Sequence, residues 1–98
     1  MKRLEYCQAW YDDIGLVSYE TRIIEFDYSV SLTPNVPFIE YYNYRSKTTL
    51  LHIRKYIDML RKTEQAFLAD RIQSLYDFAK INKNIEYIYM SSKGEIVL

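Results

Sequence analysis

This 98-residue chain holds one cysteine, one histidine, two glycines and two prolines. With Cys7 alone, an intrachain disulfide and a cysteine-based zinc site are both excluded. A lone thiol suits a reducing cytoplasm better than a secreted setting. Two glycines are too few for a glycine-rich phosphate loop. Thirteen Lys and Arg balance thirteen Asp and Glu, which excludes both a polybasic nucleic-acid tail and an acidic mimic of DNA. No run approaches the roughly 20 apolar residues of a membrane span. The basic start, Met1-Lys2-Arg3, leads to Glu5, Gln8 and Asp12-Asp13 rather than to the apolar core of a signal peptide. The expectation is a cytoplasmic protein.

What is abundant is tyrosine, at eleven residues, within a composition that is 49% hydrophobic. That hydrophobic share excludes an intrinsically disordered chain, and the length corresponds to a single domain over residues 1–98. A chain of this size buries only about two thirds of the surface its unfolded form exposes. Oligomerisation is a natural source of further burial, so a homodimer is expected. Tyrosine joins a large apolar ring to a polar tip, which suits half-buried strands and interfaces alike. So many rings exceed what a small core can hide, and some are expected to meet another macromolecule.

The first 45 residues read mostly as sheet and the rest mostly as helix. Residues 4–11 fit either a strand, with Leu4, Tyr6 and Trp10, or a helix, with Leu4, Cys7, Tyr11 and Ile14. Asp12-Asp13-Ile14-Gly15 supplies turn chemistry. Val17, Tyr19, Thr21 and Ile23 share one strand face, after which the apolar phase slips to Ile24, Phe26, Tyr28 and Val30. A one-residue slip predicts a β-bulge or sharp bend. Thr33 to Pro37 reads as a hairpin loop, and Phe38 to Tyr44 as the next strand, with Tyr42 and Tyr44 on one side and Tyr41 on the other. Ser46-Lys47-Thr48-Thr49 offers N-caps before a stripe of Leu50, Ile53, Ile57 and Leu60. A second stripe follows, Leu68, Ile72, Leu75 and Ala79. Residues 49–81 form one helix or two; two is the expectation, since a single rod would run roughly 50 Å. Asn82-Lys83-Asn84 is a helix stop, Ile85 to Met90 a last strand, and Ser91 to Gly94 a turn into an apolar end.

Little in this chain points to catalysis. A catalytic His52 would need a Ser, Thr or Cys within hydrogen-bond reach; Ser46, Thr48 and Thr49 are near in sequence but better placed to cap the helix. The expected role of His52 is a ring on the flank of the apolar stripe, satisfied by a backbone carbonyl or by water. Asp12 with Asp13, and Glu25 with Asp27, are acid pairs of the kind that hold Mg²⁺ or run acid–base chemistry. No nearby lysine completes a nuclease pattern, and these acids read as solvent-facing charge. No metal, cofactor or enzymatic activity is expected. For nucleic acid, the route is a helix face of Arg54, Lys55, Arg61 and Lys62, diluted by an Asp58–Lys62 pair at i,i+4. Residues 1–45 carry four basic against seven acidic side chains, and the remainder carry nine against six. That split favours docking of the sheet on the helices, or of one copy on another.

The stretch from Ser18-Tyr19 to Tyr41-Tyr42-Asn43-Tyr44, running on into Ser46-Lys47-Thr48-Thr49-Leu50-Leu51-His52-Ile53, resembles a group of small uncharacterised proteins encoded by phages and plasmids of Gram-positive bacteria. The resemblance covers about residues 16 to 60. The chain departs from the group in its Pro34–Pro37 loop and in its added C-terminal helix and strand. The resemblance implies a mobile-element origin and, with it, an inhibitor of a host defence complex such as an anti-CRISPR. It assigns no functional residues.

The expected fold is α+β: a mainly antiparallel sheet of three or four strands packed by one face on two helices. The expected role is a non-enzymatic protein-binding module with Tyr41, Tyr42, Tyr44 and Tyr19 as contacts, aromatic residues being favoured hot spots. The alternative is a nucleic-acid-binding regulator using Arg54, Lys55, Arg61 and Lys62.

Overall fold

The computed structural model describes residues 1–27, 38–43, 46–82, 88–91 and 93–97. Strands β1 (Lys2–Arg3), β2 (Ala9–Asp12), β3 (Gly15–Ser18), β4 (Thr21–Asp27) and β5 (Phe38–Tyr42) follow one another as an antiparallel meander. Helices α1 (Lys47–Arg61) and α2 (Ala66–Ile81) come next. The chain then returns beside β5 with the short hairpin β6 (Tyr89–Met90) and β7 (Ile96–Val97). This is the α+β architecture expected: four antiparallel strands, β2 to β5, two helices, and two-residue strands at the margins. The Cα radius of gyration, 12.3 Å, matches a folded chain of this length, about 13 Å for 100 residues.

Neither reading of residues 4–11 describes them. The chain makes β1, turns at Glu5 to Gln8, and comes back as β2, with Lys2 opposite Tyr11 and Arg3 opposite Trp10. Likewise the stretch from Val17 to Ile23 is not one strand but β3, a turn at Tyr19-Glu20, and β4, with Ser18 opposite Thr21. The two turns share a cause. Each contains a tyrosine at positive φ, +59° at Tyr6 and +55° at Tyr19, where glycine or asparagine is the usual occupant.

The expected phase slip is present. Leu16 lies opposite Ile24 but Val17 opposite Arg22, so Ile23 is the extra residue of a bulge and both Ile23 and Ile24 are buried. Between Asp12 and Gly15 the expected turn forms, with the Asp12 carboxylate accepting from the N–H groups of Ile14 and Gly15. Gly15 cannot be replaced there: its φ is +145°, and a Cβ would stand 2.0 Å from the Ile24 carbonyl oxygen.

Helix α1 begins at Ser46, whose Oγ accepts from the Thr49 N–H at 3.1 Å. Residues 49–81 are divided between two helices, with Thr63 in the break. Its hydroxyl donates to the Leu60 carbonyl and accepts from the Gln65 N–H, so it fastens the turn rather than capping α2. Ile53, Tyr56, Ile57 and Leu60 of α1 join Leu68, Ile72 and Leu75 of α2 in a single apolar cluster with Leu16, Ile24 and Phe26 of the sheet. At the other end of α2, Asn82 closes the helix by donating to the Phe78 carbonyl, at φ −108° rather than in the left-handed region. The loop expected at residues 33–37 and the start of the last strand, Ile85 to Tyr87, lie outside the described residues.

An L-residue in the left-handed region costs about 1–2 kcal/mol relative to its ordinary conformation. Because Tyr6 touches almost nothing, this cost can be read at its position. Tyr6→Gly should be more stable than Tyr6→Ala by about 1 kcal/mol in urea unfolding; equal stabilities would show that the turn carries no strain.

Candidate functional site

The two tyrosine-bearing turns lie at one end of the sheet. Ala9 pairs with Ser18 where β2 begins and β3 ends, and the Tyr19 N–H donates to the Gln8 carbonyl at 2.8 Å, joining one turn to the other. The first turn is closed by the Leu4 N–H donating to the Ala9 carbonyl at 2.8 Å and by Arg3 Nε donating to the Cys7 carbonyl at 2.9 Å. From α1, Lys55 Nζ donates to the Glu5 carbonyl at 3.2 Å. Held on three sides, this turn leaves Tyr6 94% exposed.

The second turn is held by His52. Its Nδ1 shares a hydrogen bond of 2.6 Å with Ser18 Oγ, and the Tyr19 ring lies against the imidazole, centroids 5.6 Å apart and planes tilted by 50°. Ser18 and His52 are 5% and 2% exposed, whereas Tyr19 is 57% exposed. The Nδ1 of His52 is therefore partnered by a serine hydroxyl 34 positions away, a contact that the sequence spacing does not indicate. Its sequence neighbours Ser46 and Thr49 occupy the helix start instead.

A serine within hydrogen-bond reach of a histidine is the geometry of an activated nucleophile. Here both partners are buried, so Ser18 Oγ has no open approach for a substrate carbonyl. The arrangement acts as a polar fastening between sheet and helix. Burial, followed by the like charge of Lys55, pushes the His52 imidazole below its ordinary value of 6.5. The Asp12 carboxyl lies below its ordinary 3.8, chiefly through the hydrogen bond from Arg22, with Nη1 and Nη2 at 3.0 and 3.2 Å from its two oxygens. Asp12 is thus tied into a turn and an ion pair. Among the described residues no three His, Cys, Asp or Glu side chains converge as a metal site would require, and no helix is long and apolar enough to cross a membrane.

The structure redistributes the residues expected to bind. Tyr19 stands exposed at a turn. Tyr42 does not: it lies opposite Ile24, points into the core and is 0% exposed. It is a packing residue, because the face of β5 that carries it is the face covered by the helices. The Tyr41 side chain and the whole of Tyr44 lie outside the described residues.

The basic helix face is also divided. Arg61 reaches across to α2, Nη1 at 2.7 Å from Asp70 Oδ1, and Arg54 is exposed elsewhere on α1. Lys55 and Lys62 instead line a cleft of about 460 Å³ between α1 and the first turn, together with Arg3, Tyr6, Asp58 and Met59. The expected Asp58–Lys62 ion pair is not formed; among the described residues both side chains stand free. The roles of Tyr6 and Ser18 have no sequence signature of their own, because the signal lies in backbone conformation and in a distant contact. The one local hint was the run of four residues between Leu4 and Ala9, which had no consistent apolar phase.

Comparison of the chain with protein-family models, with curated proteins and with solved structures finds no match.

Removing the Ser18 hydroxyl leaves a buried imidazole nitrogen without its partner, so Ser18→Ala should lower the unfolding free energy by about 1–3 kcal/mol; a loss below the error of urea unfolding would show that the bond is immaterial. The pH dependence follows from the direction of the His52 shift. Below 6.5 the unfolded chain takes up a proton that the folded chain resists, so stability is full above 6.5 and falls as pH descends towards the folded value. Urea unfolding from pH 8 to pH 5 should show that fall in the wild type and lose it in His52→Gln. Asp12 adds a second loss, present in both proteins, only as pH falls below 3.8.

Proposed function

We propose that this chain is a small non-enzymatic protein-binding module, a mobile-element inhibitor that blocks a host defence complex by covering one of its surfaces. The observation that carries the reading is the pair of turns that display Tyr6 and Tyr19 at one end of the sheet, each at positive φ. Strained backbone persists only where the surrounding structure enforces it, and it concentrates at functional sites. Exposed tyrosines are also among the side chains most favoured at the centre of interfaces. The mobile-element origin rests on the resemblance over residues 16–60, and the mode of action, occlusion, on the burial of the Ser18–His52 pair. The homodimer expected from the small core belongs to the same reading.

A second reading has one observation in its favour. Lys55 and Lys62 share a cleft with Arg3 beside the exposed Tyr6 ring, and cations next to a stacking surface suit single-stranded nucleic acid. Glu5 and Asp58 line the same cleft, which weakens its attraction for phosphates.

The test compares immobilised wild type with the double variant Tyr6→Ala, Tyr19→Ala in lysate of a bacterial host, followed by purified partner. The variant should keep its circular dichroism spectrum and bind the partner at least about tenfold more weakly, the loss of one hot-spot residue being at least that large. Equal binding by both proteins would overturn the choice of surface. Titration of short DNA and RNA with salt decides the second reading: affinity that falls steeply with salt supports it, and no binding at low salt removes it.

A further inference from the structure

We propose that His52 is the positioning residue of this surface: its neutral ring holds Tyr19 in place at neutral pH, and protonation releases Tyr19 from the turn. This rests on the reading of the tyrosine-bearing turns as the contact surface and adds a regulation to it.

The geometry comes first. Tyr19 is in an unfavourable backbone region, more than half exposed, and has two attachments at its turn: the bond from its N–H to the Gln8 carbonyl and a tilted contact with the His52 ring. His52 in turn is fixed by Ser18 Oγ at 2.6 Å, on the last residue of β3 before the turn. Serine, histidine and tyrosine thus form one contact chain from the sheet through the helix to the tip, with Tyr19 its exposed end.

Burial and a neighbouring like charge disfavour the charged form of the imidazole. On its own helix the charged group that acts on it is Lys55, one turn on and of the same sign as an imidazolium. From the β3–β4 turn the group beside the ring is the Tyr19 phenol; the turn's carboxylate, Glu20, is exposed and makes no ion pair with the ring. From β3 the partner is the uncharged Ser18 hydroxyl. Among the described residues no carboxylate forms an ion pair with the ring. A proton on His52 is therefore buried, unpaired and beside a like charge, a state relieved by bringing water to the ring. The exposed Tyr19 ring lies against the imidazole at a tilt, so hydration displaces it. The attraction of a cation for an aromatic face opposes this motion; it acts through a ring tilted by 50°.

The experiment is ¹⁹F NMR of the full chain labelled with 3-fluorotyrosine, from pH 8 to pH 5, with the Tyr19 signal identified by its loss in Tyr19→Phe. The Tyr19 signal should move in a single-proton step with its midpoint below 6.5, while the signal of the exposed Tyr89 stays still. His52→Gln should abolish the step. Lys55→Met, a change at a partly exposed position, should move the midpoint up by removing the like charge, and it decides the matter if His52→Gln does not fold. A Tyr19 signal that stays constant over this range, a step that persists in His52→Gln, or a midpoint unmoved in Lys55→Met would each overturn the proposal. The readout involves no partner, so its failure is distinct from failure of the tyrosine surface to bind one.

Discussion

The hydrogen bond between Ser18 and His52 is the buried polar fastening between β3 and helix α1 on which the Tyr19 turn depends. Around it the helix–sheet interface is apolar, built from Ile53, Tyr56 and Ile57 against Leu16 and Ile24. Apolar contacts specify that two layers meet but are tolerant of small slides; a buried hydroxyl and imidazole are satisfied in one register only. Because Ser18 ends β3, fixing it also fixes the position from which the next turn departs. Three residues further along α1, Lys55 reaches the other turn through the Glu5 carbonyl. One face of one helix therefore governs both tips.

Those tips show how the chain manages with so few glycines. Gly15 occupies the turn where a Cβ would collide with the Ile24 carbonyl, and Gly94 has φ +82° in the last turn. Among the described residues, the β1–β2 and β3–β4 tips bend at tyrosine, against the steric preference of an L-residue. A module selected for stability alone would place glycine or asparagine there. Tyrosine gives up backbone stability and places a large amphipathic ring on the outside, which fits a surface made for contact. Other described tyrosines go inward: Tyr42 and Tyr56 are core, and Tyr11 packs against Tyr56 with centroids 6.0 Å apart.

Much of the fold could be read from local pattern. The stripes of α1 and α2, the Ser46 cap, the Asp12–Gly15 turn and the slip at Ile23 are all encoded within a few residues, and local periodicity reports them. The two turns at Tyr6 and Tyr19 escaped because turn chemistry is recognised by glycine, proline, asparagine and aspartate, and neither turn uses them at its positive-φ position. With those turns unseen, alternation ran straight through Tyr19 and gave one strand where there are two. The site was less legible still. The Ser18–His52 contact spans 34 positions, and no spacing rule reaches so far. The choice of Tyr42 failed for a related reason: alternation divides β5 into two faces without saying which of them the helices cover.

The most direct test of this account is the nuclear Overhauser spectrum of the full chain at pH 7.5, read with the ¹⁵N shifts of its one imidazole. The account predicts cross-peaks between the Tyr19 and His52 rings and nitrogen shifts of a neutral ring. Absence of those cross-peaks, or the two equivalent nitrogens of an imidazolium, would contradict it.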